Sequence, residues 1–229
     1  MSIIKLQSLI RGYNYRKNNL PNSIKLIHLY LENNELSCST KTNDGRTNSC
    51  IDEENIINIL INTNIKDRLY IPLKRHWFDI AIYDYQYGLL PINIKSTTTK
   101  TADNTGNLTM CVYAITNYNI NLKQSYQNGE MSKIYINSIK NKNYNKISKR
   151  DYYFIIINKE NNSIISNSLK GLTSLTPNIN NLPFQVKWCD NKSFVYKNIQ
   201  TVSNMIKEAI QKPNISWREN FLHEFRMIE

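Results

Sequence analysis

The chain has 229 residues, with 29 basic against 18 acidic side chains and a net charge of +11. It is long enough to bury a substantial core, and its field draws polyanions, nucleic acid first among them. An acidic membrane surface is the rival partner, but no apolar run approaches the roughly 18 residues that a spanning helix needs. No secretory signal opens the sequence either, so the chain reads as soluble and cytoplasmic. Four scattered cysteines (Cys38, Cys50, Cys111, Cys189) form no Cys-x-x-Cys pair and have no histidine cluster beside them. They indicate neither a zinc site nor a disulfide framework and read as reduced thiols. Asparagine occurs 35 times, alongside much Ile, Lys and Tyr. Such a mixture follows from A+T-rich codons, so a single asparagine carries little message.

The first predicted element covers residues 1–20. Ile3, Leu6, Ile10 and Tyr13 fall at helical spacing with Arg and Lys opposite. Leu6-Gln7, Arg11-Gly12 and Arg16 resemble an IQ motif, which implies a calmodulin-like partner. The preferred reading is a basic amphipathic helix packed on the domain formed by residues 21–229. Leu20-Pro21 breaks that helix, and Ser23 is placed to cap a second one through Ile24–Tyr30. His28, in the middle of its apolar face, is read as structural. Asp44-Gly45 marks a turn. Asp52 or a neighbour then starts a helix through Asn55–Ile61, with Glu53 on the side of Ile56, Ile57 and Leu60. An acid on a core-facing stripe is unusual. Glu53 is therefore preferred over Glu54 as a functional acid, against the alternative that both only complement the helix dipole.

Two apolar runs follow, Trp77–Tyr83 containing Asp79 and Leu89–Lys95 ending in a lysine. The connection Asp84-Tyr85-Gln86-Tyr87-Gly88 has the composition of a hairpin loop. Residues 96–107 are almost wholly polar and read as a ligand-touching loop. Leu108–Ile115 reads as a buried helix and Tyr118–Gly129 as loop. Lys140, Lys142, Lys146, Lys149 and Arg150, with Tyr144 among them, form the strongest local basic patch and suit phosphate contact. Asp151–Ile157 and Ser163–Leu169 read as paired strands across a turn at Glu160–Asn162. Residues 171–181 read as loop, Leu182–Trp188 as an edge strand, and Val202–Gln211 and Trp217–Arg226 as closing helices.

In order, these features are an acid on a helix, an acid on a strand, a lysine two residues after a polar position on the next strand, a helix and a central strand. The constellation spans about residues 45 to 190 and resembles the PD-(D/E)xK nuclease superfamily, most closely its type II restriction endonucleases. The resemblance implies an α/β fold with a restriction-endonuclease-like core, a central mixed sheet flanked by helices, and further helices at both termini. It assigns Asp79 as the strand acid, Asn93 to the first triplet position, Lys95 as the lysine and Glu53 as the helical acid. Mg2+ would be held by Asp79, Asn93, Glu53 and the Ile94 carbonyl. Such a hard cation suits carboxylates and neutral oxygens. Phosphodiester hydrolysis needs both a generated hydroxide and stabilisation of added negative charge.

The chain departs from the pattern at two positions. Asn93 stands where the triplet has an acid, and Phe78 stands where a proline precedes the strand acid. Asp84 or Asp103 could compensate for the lost charge. Double-stranded DNA contact is expected from Arg46, Asn48, Ser49, Ser96, Thr97, Thr98, Thr99, Lys100, Asp103, Asn104, Asn107, Asn178, Asn180, Asn181 and Gln185, whose side chains suit groove edges and phosphates. A homodimer would place one centre on each strand of a palindrome. The alternative is a DNA-binding protein whose nuclease site has decayed.

Overall fold

The computed structural model describes residues 19–34, 36, 45–147, 149–178, 183–211 and 223, with the backbone alone at 45 and 46. The predicted N-terminal helix, Cys38, Asn180, Asn181, nearly all of the predicted 217–226 helix and the Arg46 side chain lie outside the described residues.

The hairpin forms as its sequence requires. β2 (Ile80–Asp84) and β3 (Gly88–Thr97) pair antiparallel, with Asp84 opposite Gly88. Asp84 Oδ1 accepts the backbone N–H of Gln86 and of Tyr87, closing the turn locally. Gly88 takes φ +74°, a conformation open to glycine at little cost. β5 (Tyr153–Asn158) then joins β3 in parallel, and β6 (Ile164–Ser168) pairs antiparallel with β5. With β1 (Leu69–Tyr70) at the other edge, the result is a mixed five-stranded sheet in the order β1-β2-β3-β5-β6.

Helices cover both faces. On one face α1 (Asn22–Glu32) and α2 (Gly45–Ile61) bury Ile24, Ile27, Leu31, Ile56 and Leu60 against Ile80, Ile82, Ile92, Ile94 and Ile155. On the other, α3 (Leu108–Ile115), α4 (Asn128–Lys140) and α5 (Ile199–Gln211) pack on Ala81, Phe154, Ile156 and Ile165. That explains the unbroken apolar run of β5, whose alternate side chains enter the two different cores. The chain is thus α/β, with a mixed sheet between helical layers.

Several boundaries differ from expectation, each because a tertiary partner overrides local propensity. Pro21, not Ser23, occupies the N-cap of α1, and the Ser23 hydroxyl instead donates to buried Asp84 at 2.7 Å. His28 links α1 to β6 through Ser166 at 2.7 Å. α2 begins at Gly45, so Asp52 lies inside it and caps nothing. The polar stretch 45–52 becomes helical because Ser49 and Asp52 find hydrogen-bond partners on Ser96. β3 continues to Thr97, and the supposed loop beyond it contains β4 (Ala102–Asp103), which pairs with β7 (Val186–Lys187), a short piece of the predicted edge strand. α4 was not expected, although Met131, Tyr135 and Ile139 recur at helical spacing and are buried. The basic patch beside it divides. Lys140, Lys142 and Lys146 are exposed, but Lys149 and Arg150 donate to the carbonyls of Asn19 and Tyr118.

Gly106 brings the β4 connection hard against Phe184. A Cβ there would meet the Phe184 carbonyl oxygen at 2.6 Å and the ring at 2.8 Å. Gly106→Ala is therefore expected to lower stability by about 1–3 kcal/mol through overpacking. Urea melts measure it, and an unshifted midpoint would contradict this packing.

Candidate active site at the carboxyl ends of two parallel strands

β3 and β5 run parallel and end side by side, the place where open α/β sheets offer a ligand crevice. Asp79 immediately precedes β2. Its N–H donates to the Ile92 carbonyl at 3.0 Å, and its Oδ2 accepts the Ile94 N–H at 2.7 Å. The carboxylate thus extends the β2–β3 ladder one step beyond the last paired residue. Because the N–H and C=O of a strand residue point the same way, the Ile94 carbonyl is directed to this same edge.

Lys95 Nζ donates to Glu53 Oε1 at 2.6 Å, with both side chains about four-fifths buried. Burial works against the ammonium, but Glu53 and Asp79 outweigh it and hold the Lys95 pKa above its ordinary value. Burial raises Glu53 against the pull of Lys95, and the nearby charges of Asp79 and Asp52 raise it further. Asp79 is raised by burial too, opposed by Lys95 and by the Ile94 N–H. Glu53 therefore does not serve as a helix-dipole acid. It lies in the middle of α2 and faces Lys95, whereas Glu54 is exposed beside Lys74 at 3.5 Å. Glu53 and Asp79 both open on a cleft of about 680 Å3, whose other walls include Ile57, Leu73, Lys74 and Arg75.

A second acid–lysine pair adjoins the first. Lys159, just past β5, reaches Asp52 Oδ2 at 3.2 Å and Ser49 Oγ at 3.2 Å. The Ser96 hydroxyl also donates to Asp52, at 2.9 Å. Neither Asp52 nor Lys159 was singled out as a site residue from the sequence. The signal for Lys159 was available, since it follows a buried central strand as Lys95 ends one.

Of the two acids that could compensate for Asn93, only Asp103 stands near. Burial raises its carboxyl, while the Thr97 hydroxyl at 3.1 Å and the charge of Lys95 act against that. The Trp188 N–H faces the same carboxyl without closing a well-formed bond, leaving Asp103 Oδ2 and Trp188 Nε1 unsatisfied. Asp84 is at the opposite end of the hairpin, committed to Ser23 and the turn.

Among the described residues no three acid, histidine or cysteine side chains group closely enough to hold a metal ion. A divalent cation here would need neutral oxygens beside the carboxylates, and one is present. Asn93 Oδ1 is buried with no hydrogen-bond partner. The Tyr152 hydroxyl lies beside Asn93 but donates to the Trp77 carbonyl at 2.8 Å. A buried orphan oxygen costs roughly 1–3 kcal/mol, and a cation would relieve it. Asp79, the Ile94 carbonyl and Asn93 are chemically suited to Mg2+, with Glu53 across the lysine.

The expected DNA-contacting residues separate by burial. Ser96, Thr97 and Thr99 are buried, and the hydroxyls of Ser96 and Thr97 are directed to Asp52 and Asp103. Asn48 is buried, and Ser49 bonds Ser96 and Lys159. Asn107 caps α3 through the Met110 N–H and donates to Trp77. Buried Asn178 and half-buried Gln185 both donate to Asn104, at 3.2 and 2.7 Å. Thr98, Lys100 and Asn104 are exposed, Lys100 pairing with Glu160. Cys50, Cys111 and Cys189 are free thiols, and no described helix is long and apolar enough to cross a membrane.

No family model, no curated protein and no solved structure matches this chain.

The raised Asp79 pKa has a sign that can be checked. A carboxyl whose folded pKa lies above its unfolded value adds stability at low pH and loses it as pH climbs through the folded pKa. In metal-free buffer, Asp79→Asn keeps an oxygen for the Ile94 N–H and has no charge to desolvate. It is expected to be more stable than the parent at pH 8, with the advantage closing below the ordinary carboxylate range. Denaturant unfolding at both pH values tests this, and an Asn variant less stable at pH 8 would contradict it.

Proposed function

We propose that the chain is a magnesium-dependent endonuclease of the type II restriction kind, with a restriction-endonuclease-like core, hydrolysing double-stranded DNA at a short palindromic site. The observation that carries this reading is the buried Glu53–Lys95–Asp79 cluster at the carboxyl ends of β3 and β5, beside an Asn93 oxygen with no partner. The order of elements supports it, since a helix bearing an acid, an antiparallel hairpin, a crossover helix and a parallel central strand succeed one another.

Each residue has a task. Glu53 and Asp79 keep Lys95 charged, and its ammonium is placed to stabilise the negative charge that builds on a phosphorus under attack. Asp79 is oriented by the Ile94 N–H, which leaves Oδ1 for a ligand. Mg2+ held by Asp79, Asn93, the Ile94 carbonyl and Glu53 would supply an activated water and charge neutralisation. Lys74 and Arg75 on the cleft wall suit the DNA backbone. Thr98, Lys100, Asn104 and Gln185, being at least partly exposed, suit groove contact. A homodimer would set two such centres on opposite strands.

The test is digestion of phage or plasmid DNA with Mg2+. Discrete fragments are expected, with none from Asp79→Ala and cleavage slowed about 10²–10³-fold in Lys95→Ala. DNA left whole by the parent would sink the reading.

Asn93 in place of the triplet's acid favours a second reading, a DNA-binding protein that has lost its chemistry. It predicts binding whose log–log salt slope is about −0.9 per phosphate contact, without cleavage in any metal. Asn93→Asp separates the two. A working centre gains Mg2+ affinity by calorimetry and an inert one does not.

A further inference from the structure

A cavity of about 460 Å3 lies at the far end of the hairpin, lined by Lys25, Arg68, Asp84, Tyr85, Tyr87 and Lys149 among others. It is separated from Asp79 by the length of β2, roughly 17 Å at about 3.3 Å per residue. We propose that this cavity binds the phosphate of a small phosphomonoester, a ligand of mononucleotide size.

Three cations face one acid there, and that acid is already committed. Asp84 accepts the Ser23 N–H and hydroxyl on Oδ2 and the Gln86 and Tyr87 N–H groups on Oδ1. Among the described residues neither Lys25 nor Arg68 has a carboxylate within salt-bridge distance. Lys25 Nζ makes a 3.5 Å contact with Asn19, and Arg68 is held on the Tyr83 carbonyl at 2.8 and 3.0 Å and on the Ser23 hydroxyl, which bridges it to Asp84. Lys149 is almost fully buried and donates to the Asn19 carbonyl. Burial, then the neighbouring charges of Lys25 and Lys170, push its pKa down to about 8 against the opposing pull of Asp151. That acid is engaged by the Ser168 hydroxyl and by the Tyr152 and Lys170 N–H groups. A phosphate would supply the counter-charge that Lys25 and Arg68 lack among the described residues, and an ammonium with a guanidinium is a fitting pair of donors for it.

The volume and the rim set the ligand's size. A site of 460 Å3 falls within the range of small-molecule pockets. Tyr85 is 82% exposed, with the Arg68 guanidinium 4.9 Å from its ring, and offers a face on which a base can stack.

Isothermal titration of the full chain with inorganic phosphate and with AMP, at fixed ionic strength, tests the site. Millimolar or tighter binding is expected, weakened about tenfold or more in Lys25→Ala, whose side chain holds little of the fold. AMP binding more tightly than phosphate would assign the tyrosines to the base, and equal affinities would assign the site to the phosphate alone. Binding of neither ligand, or undiminished binding by Lys25→Ala, would overturn the proposal. DNA cleavage is a separate readout, expected to be unchanged in Lys25→Ala.

Discussion

One hydrogen bond fixes the geometry on which the candidate site rests, the 2.7 Å contact from the Ile94 N–H to Asp79 Oδ2. Where backbone pairing between β2 and β3 stops, a side-chain carboxylate replaces the carbonyl that would have come next. The N–H it satisfies lies at the fully buried Ile94 of a central strand and would otherwise be costly to leave unpaired. The same bond locks the acid's orientation. β3 continues past this point to Thr97, and that extension lets Lys95 reach α2 while Ser96 meets Asp52.

Desolvation opposes the site and mutual pairing offsets it. Burial raises Glu53, Asp79 and Asp103 together, which is the cost of placing acids at the end of a closed sheet. Lys95 and Lys159 repay part of that cost, each through an acid on consecutive residues of α2. Four acids against two lysines leave a local excess of negative charge when all are ionised, within a chain of strongly positive total charge.

The clefts at the two ends of the sheet differ in charge. The cleft near the carboxyl ends of β3 and β5 mixes Glu53, Glu54 and Asp79 with Lys74, Arg75 and His76, whereas the cavity at the hairpin turn and the start of α1 sets Lys25, Arg68 and Lys149 against Asp84. Asp84 shows how position decides a role. As an acid beside a candidate site it looked able to act as a metal ligand, but at the turn it holds Ser23 and two backbone N–H groups instead.

The sequence by itself determined the hairpin, the buried helix at Leu108–Ile115, the paired strands after it, and the placing of Asp79 and Lys95 on neighbouring chain segments of the hairpin. Those follow from local alternation, turn chemistry and continuous apolar runs, which are short-range properties. It also ranked Glu53 above Glu54 through helical periodicity. Only the tertiary structure decided where α2 begins, that α4 exists, that Ser96 and Thr97 turn inward, and that Asp52 and Lys159 join the centre. Each of these depends on a partner distant along the chain, and polar residues such as Ser49, Asp52 and Asn107 are equally at home in loops until such a partner satisfies them. Burial decided them, because a polar atom removed from water must find a specific partner, and the fold alone says which one is within reach.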